Sequence, residues 1–188
     1  HTRHRLRIRT IAAAGPQLYP AARAGFRSGH PWRVAGVDPV SRRRADCGLA
    51  ALAEKSLKLA AERESLAVVD DQFGAPTGAD LLADITAHAL RAVQREPQLG
   101  GTYHAVAAGE THWHGYARFV IEWARAHGLP VKVAADAIKA VPTSAYPTPA
   151  RRPLNSRLAT DKLRRTFNLT LPGWQAGVER MLTEVLGH

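Results

Sequence analysis

From Leu49 onward the apolar positions follow two alternating periods. Leu49, Leu52, Leu57 and Leu59 stand among alanines, with Lys58, Glu62 and Glu64 between them, and predict an amphipathic helix reaching to about residue 66. Residues 67–70 read as a short buried strand, and Asp71-Gln-Phe-Gly-Ala-Pro-Thr77 as a loop with turn residues at Gly74 and Pro76. Leu81, Leu82, Ile85, Ala89 and Val93 recur at helical spacing over 79–95. Residues 97–100 close that helix, and 102–106 predict a strand. Tyr116, Phe119, Val120 and Trp123 mark the apolar side of a helix over 113–127, with Thr111 as its expected cap and Gly128 as its stop. Val131-Lys-Val133 reads as a short strand. Thr160 or Asp161 opens a helix through Phe167, and a last helix covers about 173–186 with Val178, Leu182 and Val185 on its buried stripe. Strands alternating with helices predict an α/β fold.

Before residue 49 this regularity is missing. Arginines alternate with Leu6 and Ile8 at a strand-like period of two, and residues 11–46 show no period at all. Charge breaks at the same place. The chain of 188 residues carries +10 at pH 7, and ten arginines against one acid, Asp38, lie within residues 1–44. All five lysines lie beyond that segment, where charge is nearly balanced. The chain is therefore divided into a basic segment, 1–48, expected to be poorly ordered or non-native, and a domain, 49–188. Two explanations of the first segment stay open: a basic arm for an acidic partner such as nucleic acid, and a truncated or rearranged coding region. The abrupt start of regular sequence favours the second. Cys47 is the sole cysteine, so no internal disulfide forms and a reducing cytoplasm is the simplest expected location. No apolar run approaches membrane-spanning length, and the arginine-rich start lacks the apolar core of a secretory signal.

The chemistry concentrates in Tyr146-Pro-Thr-Pro-Ala-Arg-Arg-Pro153. Prolines fix φ and remove donors, which excludes a helix interior or a central strand and predicts a stiff extended loop. A preset loop bearing adjacent guanidiniums suits a phosphorylated ligand; it equally suits a rigid linker with solvated charges. His104, His112 and His114, with Glu110 nearby, have metal-ligating side chains, but residues two apart at a helix start do not face one another, so metal is not expected.

The run Pro142-Thr-Ser-Ala-Tyr-Pro-Thr-Pro-Ala-Arg-Arg-Pro-Leu-Asn-Ser-Arg-Leu158 resembles the signature of the dTDP-4-dehydrorhamnose reductases, extended short-chain dehydrogenases. Val68-Val-Asp-Asp-Gln-Phe-Gly-Ala-Pro-Thr77, Gly101-Thr-Tyr-His104 with Gly109-Glu-Thr-His-Trp-His-Gly-Tyr-Ala117, and Lys162-Leu163, Phe167 and Leu171-Pro-Gly-Trp174 are similar to that family in the same order. The likeness covers about residues 56–186. It implies the C-terminal, substrate-binding part of a Rossmann-type α/β fold and a dTDP-sugar substrate. Gln72, Thr77, Tyr146, Arg151 and Arg152 become the expected substrate contacts or supports, and Trp113 a helix-start packing residue. For the intact family enzyme it implies NADPH or NADH, a homodimer, and magnesium in some members.

The same family needs a glycine-rich turn after its first strand and a Tyr-x-x-x-Lys pair for proton transfer. Gly25-Phe-Arg-Ser-Gly29 lacks the spacing, and Tyr103, Tyr116 and Tyr146 have no lysine four residues on. Tyr19 is followed directly by Pro20, which rules it out. No catalytic or cofactor-binding residue is therefore assigned, and the 188 residues alone are expected to be inactive as a reductase. One alternative is a non-catalytic binding module of the same fold, like the regulatory subunit of methionine adenosyltransferase. The other is a nucleic-acid-binding protein led by the basic arm.

Overall fold

The computed structural model describes residues 6–10, 33–35, 48–146 and 152–187. Strand β1 (Leu6–Arg9) runs parallel to β2 (Arg33–Ala35) on one side and to β5 (Gly101–His104) on the other, pairing Leu6 with Gly101 and Arg9 with His104. Its period-two pattern is realised in burial: Leu6 and Ile8 are buried, Arg7 and Arg9 exposed. Residues 1–48, expected to be loosely packed, thus contribute two strands and the first residue of a helix. The rest of that segment lies outside the described residues. Helices α2 (Ala79–Arg95) and α4 (Asp161–Phe167) cover the apolar face of the sheet. Leu82, Ile85, Ala89, Leu163 and Phe167 pack there with Leu6, Ile8 and Tyr103. Burying a side chain such as Leu163 contributes about 1.5–3 kcal/mol. Asn168, at φ 49°, ends α4 in the left-handed region that asparagine tolerates.

A second parallel pair, β3 (Leu66–Val69) with β7 (Ile138–Val141), lies against α1 (Gly48–Glu62) and α3 (Trp113–Ala126). Ala60, Leu66, Ile121, Val133 and Ile138 form its core. Helices α1 and α3 meet α5 (Trp174–Leu186) through Leu49, Ala53, Tyr116, Val120, Val178 and Leu182. The Tyr116 hydroxyl donates to Leu49 O at 2.9 Å, tying α3 to the start of α1.

Three expectations need correction. The first helix stops at Glu62, because Leu66 is claimed by β3, where it pairs with Ile138. Val131–Val133 is no strand: the Lys132 and Val133 amides both donate to Ala60 O, at 2.9 and 3.2 Å, hooking this segment to the end of α1. The strand comes later, at β7. Thr111 does not cap α3. It pairs in β6 (Thr111–His112), antiparallel to β4 (Phe73–Gly74), and the His112 ring accepts from the Gly115 amide at 3.2 Å instead.

Candidate functional site

Three distant segments meet around Phe73. Its amide donates to Leu154 O and its carbonyl accepts from the Ser156 amide, both at 2.8 Å, while β4 pairs with β6 on the other side. Extended chain on both sides of one residue leaves the Gln72–Pro76 loop, the start of α3 and the 152–156 segment facing a common cavity of about 180 Å³. Its wall is largely aromatic, from Phe73, His112, Trp113 and Tyr116. The Phe73 and His112 rings meet edge-on at 5.4 Å, and those of Trp113 and Tyr116 at 6.3 Å.

A hydrogen-bonded chain sets the polar part of this wall. The Thr143 hydroxyl donates to Asp71 Oδ1 at 2.5 Å and accepts from Gln72 Nε2 at 2.9 Å. Trp113 Nε1 donates to Gln72 Oε1 at 3.0 Å. Both ends of the Gln72 amide are therefore engaged, which settles which way it points and leaves its second N–H and second lone pair for another partner. The Thr143 amide also donates to Asp71 Oδ2 at 2.9 Å. The hydroxyl donor, then the amide, holds the Asp71 carboxyl below its ordinary range, since both favour the charged form.

Of the expected contacts, Gln72 and Arg152 line the cavity. Thr77 supports it from behind: its hydroxyl donates to Ala75 O at 2.9 Å and accepts from the Ala107 amide at 3.0 Å, anchoring the loop to the chain beyond β5. Tyr146 is half exposed and outside the lining; its hydroxyl donates to Ala67 O of β3 at 3.1 Å. Arg151 lies outside the described residues. Phe73, Trp113 and Tyr116 are lining residues that the sequence does not single out: Trp113 and Tyr116 read first as core, and Phe73 gains its place from pairing with His112.

The histidines have structural partners. His112 caps α3, the His114 ring shares a 2.9 Å hydrogen bond with Ile138 O, and the two rings stack at 5.8 Å. Among the described residues no three or more His, Cys, Asp or Glu side chains are grouped to hold a metal, and no helix is long and apolar enough to cross a membrane. A nicotinamide cofactor does not fit the described residues either: no strand there leads through a glycine-rich turn into a helix. Lys162 sits 4.5 Å over the Tyr103 ring, but the Tyr103 hydroxyl donates to Leu99 O, so this pair is not arranged for proton transfer.

Helices packed on parallel strands, with a cavity beside the strand ends, define a Rossmann-like α/β substrate-binding unit. Residues 50–186 match the model of the RmlD substrate binding domain, and the chain belongs to that family. It is 58% identical over 133 residues to the dTDP-4-dehydrorhamnose reductases of Shigella flexneri and of Escherichia coli K12, covering 71% of this chain and 44% of each relative. A crystal structure of dTDP-4-dehydrorhamnose reductase from Bacillus anthracis in complex with NADP superposes with a TM-score of 0.55 at 30% identity, over 70% of this chain and 42% of that one. The ortholog from Clostridium acetobutylicum gives 0.55 at 25% identity, over 72% and 44%. The chain thus spans less than half the length of these relatives.

Proposed function

We propose that this chain is the dTDP-sugar-binding part of a dTDP-4-dehydrorhamnose reductase, which uses NAD(P)H to reduce the 4-keto sugar nucleotide in dTDP-L-rhamnose synthesis. The observation that carries the reading is the cavity at which an oriented Gln72 amide, the Trp113 and Phe73 rings and Arg152 converge. Aromatic faces suit a pyrimidine base, a defined amide can read the donors and acceptors of its edge, and a guanidinium suits the adjoining phosphate. In this reading Arg152 meets the phosphate nearest the nucleoside, Thr77 holds the loop, and Tyr146 and Arg151 are further contacts or supports of the substrate site. The described residues of 1–47, namely 6–10 and 33–35, are not among those lining the cavity. A reducing cytoplasmic location and pairing of two copies belong to the same reading; light scattering on the purified chain checks the pairing.

The reading separates binding from chemistry. The 188 residues have neither the glycine-rich turn nor the Tyr-x-x-x-Lys pair, so they bind without reducing. Calorimetric titration with dTDP should give saturable binding. Arg152→Ala, losing a charge-assisted hydrogen bond worth about 1.5–3 kcal/mol, should weaken it about tenfold or more, beyond any loss that a parallel melting curve accounts for. Heats that never saturate would overturn the binding reading. Heat-labile NAD(P)H oxidation by this chain with the dehydro-sugar nucleotide would overturn the separation.

A further inference from the structure

His112 joins the aromatic wall to helix α3. It is the last residue of β6, where it stands opposite Phe73, and it is also the residue that caps α3. Trp113 follows as the first residue of that helix and bonds Gln72 at 3.0 Å. The backbone dictates the state of the His112 ring. A backbone amide can only donate, so Nδ1, 3.2 Å from the Gly115 amide, must present a lone pair and carry no proton. His114 is the reverse case. Ile138 O can only accept, so the Nε2 that meets it must hold a proton, and a further proton on Nδ1 leaves that bond intact. The two rings lie nearly parallel, 8° apart in plane with centroids 5.8 Å apart. The His112 ring lies close over the helix start, since a Cβ on Gly115 would stand 3.6 Å from its Cε1.

We propose that His112 is a positioning residue for the aromatic cavity that works only as a neutral imidazole, so that one proton on its ring loosens the wall. For its ligand this rests on the nucleotide reading above. A proton on Nδ1 sets an N–H against the Gly115 N–H and removes the cap. The start of α3 then loses the bond that fixes Trp113 beside Gln72, and the Phe73 ring edge meets a charged ring in place of a neutral one. The charged and titratable groups around this ring are Asp71 in the loop before Phe73, Glu110 on the approach to β6, Arg157 over the Phe73 ring, Arg152 in the same cavity wall, and His114. Thr143 keeps Asp71 charged, and Glu110 is paired with Arg157. Of these five only His114 is of a type that changes charge between about pH 5 and 8, and its bond to Ile138 survives that change. The wall is therefore firm above the histidine range and loosens as pH falls through it.

The test titrates dTDP calorimetrically into the wild type, His112→Asn and His112→Ala at about pH 8 and about pH 5.5, on either side of the histidine range. Asparagine accepts from a helix amide at both pH values, and alanine at neither. Both variants lack the ring, so the comparison between them isolates the cap. At about pH 8 His112→Asn should bind dTDP about threefold to tenfold tighter than His112→Ala, as one cap implies. The phosphates of dTDP also titrate, and that part is common to all three proteins. On acidification the wild type should lose about threefold to tenfold more affinity than His112→Asn does. Equal losses in these two, or equal binding by the two variants, would overturn the positioning role while leaving the nucleotide reading intact. Nuclear magnetic resonance of the wild type without ligand gives a second readout that needs no folded variant. The Gly115 amide and the Trp113 indole N–H should shift with the same midpoint as the His112 ring protons. If dTDP does not bind, the nucleotide reading fails and these signals decide: a shared midpoint upholds the proton-sensitive wall, and signals that ignore the His112 titration sink it.

Discussion

The aromatic cavity shares Gly74, Ala75 and Val106 with a second cavity, lined by Glu110, Arg157 and Arg164, and the two are held in opposite ways. Around the first, Asp71, Thr143, Gln72 and Trp113 form one unbroken hydrogen-bonded chain between half-buried groups. Around the second, the polar contacts are ion pairs among exposed side chains, Glu110 with Arg157 and Asp161 with Arg164. A chain of neutral and charge-assisted hydrogen bonds sets one geometry, since each member orients the next. Exposed ion pairs are screened and readily exchange partners. The contrast teaches that the first wall is fixed by bonds that orient one another, whereas the second is lined by charges free to re-pair.

The largest stability effect should come from cutting the first network at its middle. Thr143→Val removes the hydroxyl that serves both Asp71 and Gln72, leaving polar groups unpaired at a cost of about 1–3 kcal/mol. Denaturant unfolding measures the loss, and dTDP affinity should fall with it because Gln72 is released. Thr77→Val should come next: losing the bonds to Ala75 O and from the Ala107 amide should cost about 0.5–1.5 kcal/mol for each bond. Full stability in either variant would mean that these walls are not held as described.

A smaller effect is set by pH. The folded Asp71 carboxyl titrates below its unfolded counterpart, because the Thr143 hydroxyl and amide favour its charged form. Its contribution is complete above the unfolded value, near pH 4, and disappears as pH falls through the folded value. Asp71→Asn should therefore flatten the acid limb of a stability–pH curve and leave its shape near neutrality unchanged. An acid limb identical to the wild type would contradict the assignment. Smallest of all should be Arg157→Ala, whose exposed pair contributes at most about 1 kcal/mol. Its effect on melting should shrink further in high salt; a drop as large as that of Thr143→Val would erase the contrast between the two walls.

Long periodic stretches were legible from sequence. Helix α2 spans the residues its apolar spacing predicts, because Leu82, Ile85, Ala89 and Val93 have only one face to bury. Short elements were not. Strands β4 and β6 have two residues each and owe their existence to each other, with Phe73 opposite His112. Val131-Lys-Val133 has the alternation of a strand, yet its amides go to Ala60, a partner that no local pattern names. The site divides similarly. Gln72 and Arg152, expected from the family signature, line the cavity, whereas Trp113 reads as packing, because a tryptophan's wall position and its bond to a glutamine 41 residues away are tertiary facts. Tyr146, chosen from the same signature, turns its hydroxyl to β3.

The placement of β1 bears on time as well as on structure. Leu6 finds its partner Gly101 only after the chain between them has closed on itself, and Leu66 finds Ile138 across a similar span. Loop-closure entropy rises slowly with length, but it must be met before any of these contacts stabilises the chain, so sheets built from distant parallel strands form slowly. Helix α2 and its turn onto β5 can assemble locally, and β1 can join only afterwards. Until it does, the apolar face that Leu6 and Ile8 will cover stays open, together with the unpaired edge of β5, and such an edge recruits strands from other chains. The pairing of Leu6–Arg9 with Gly101–His104 is thus a long-range step on which the closing of this apolar face depends.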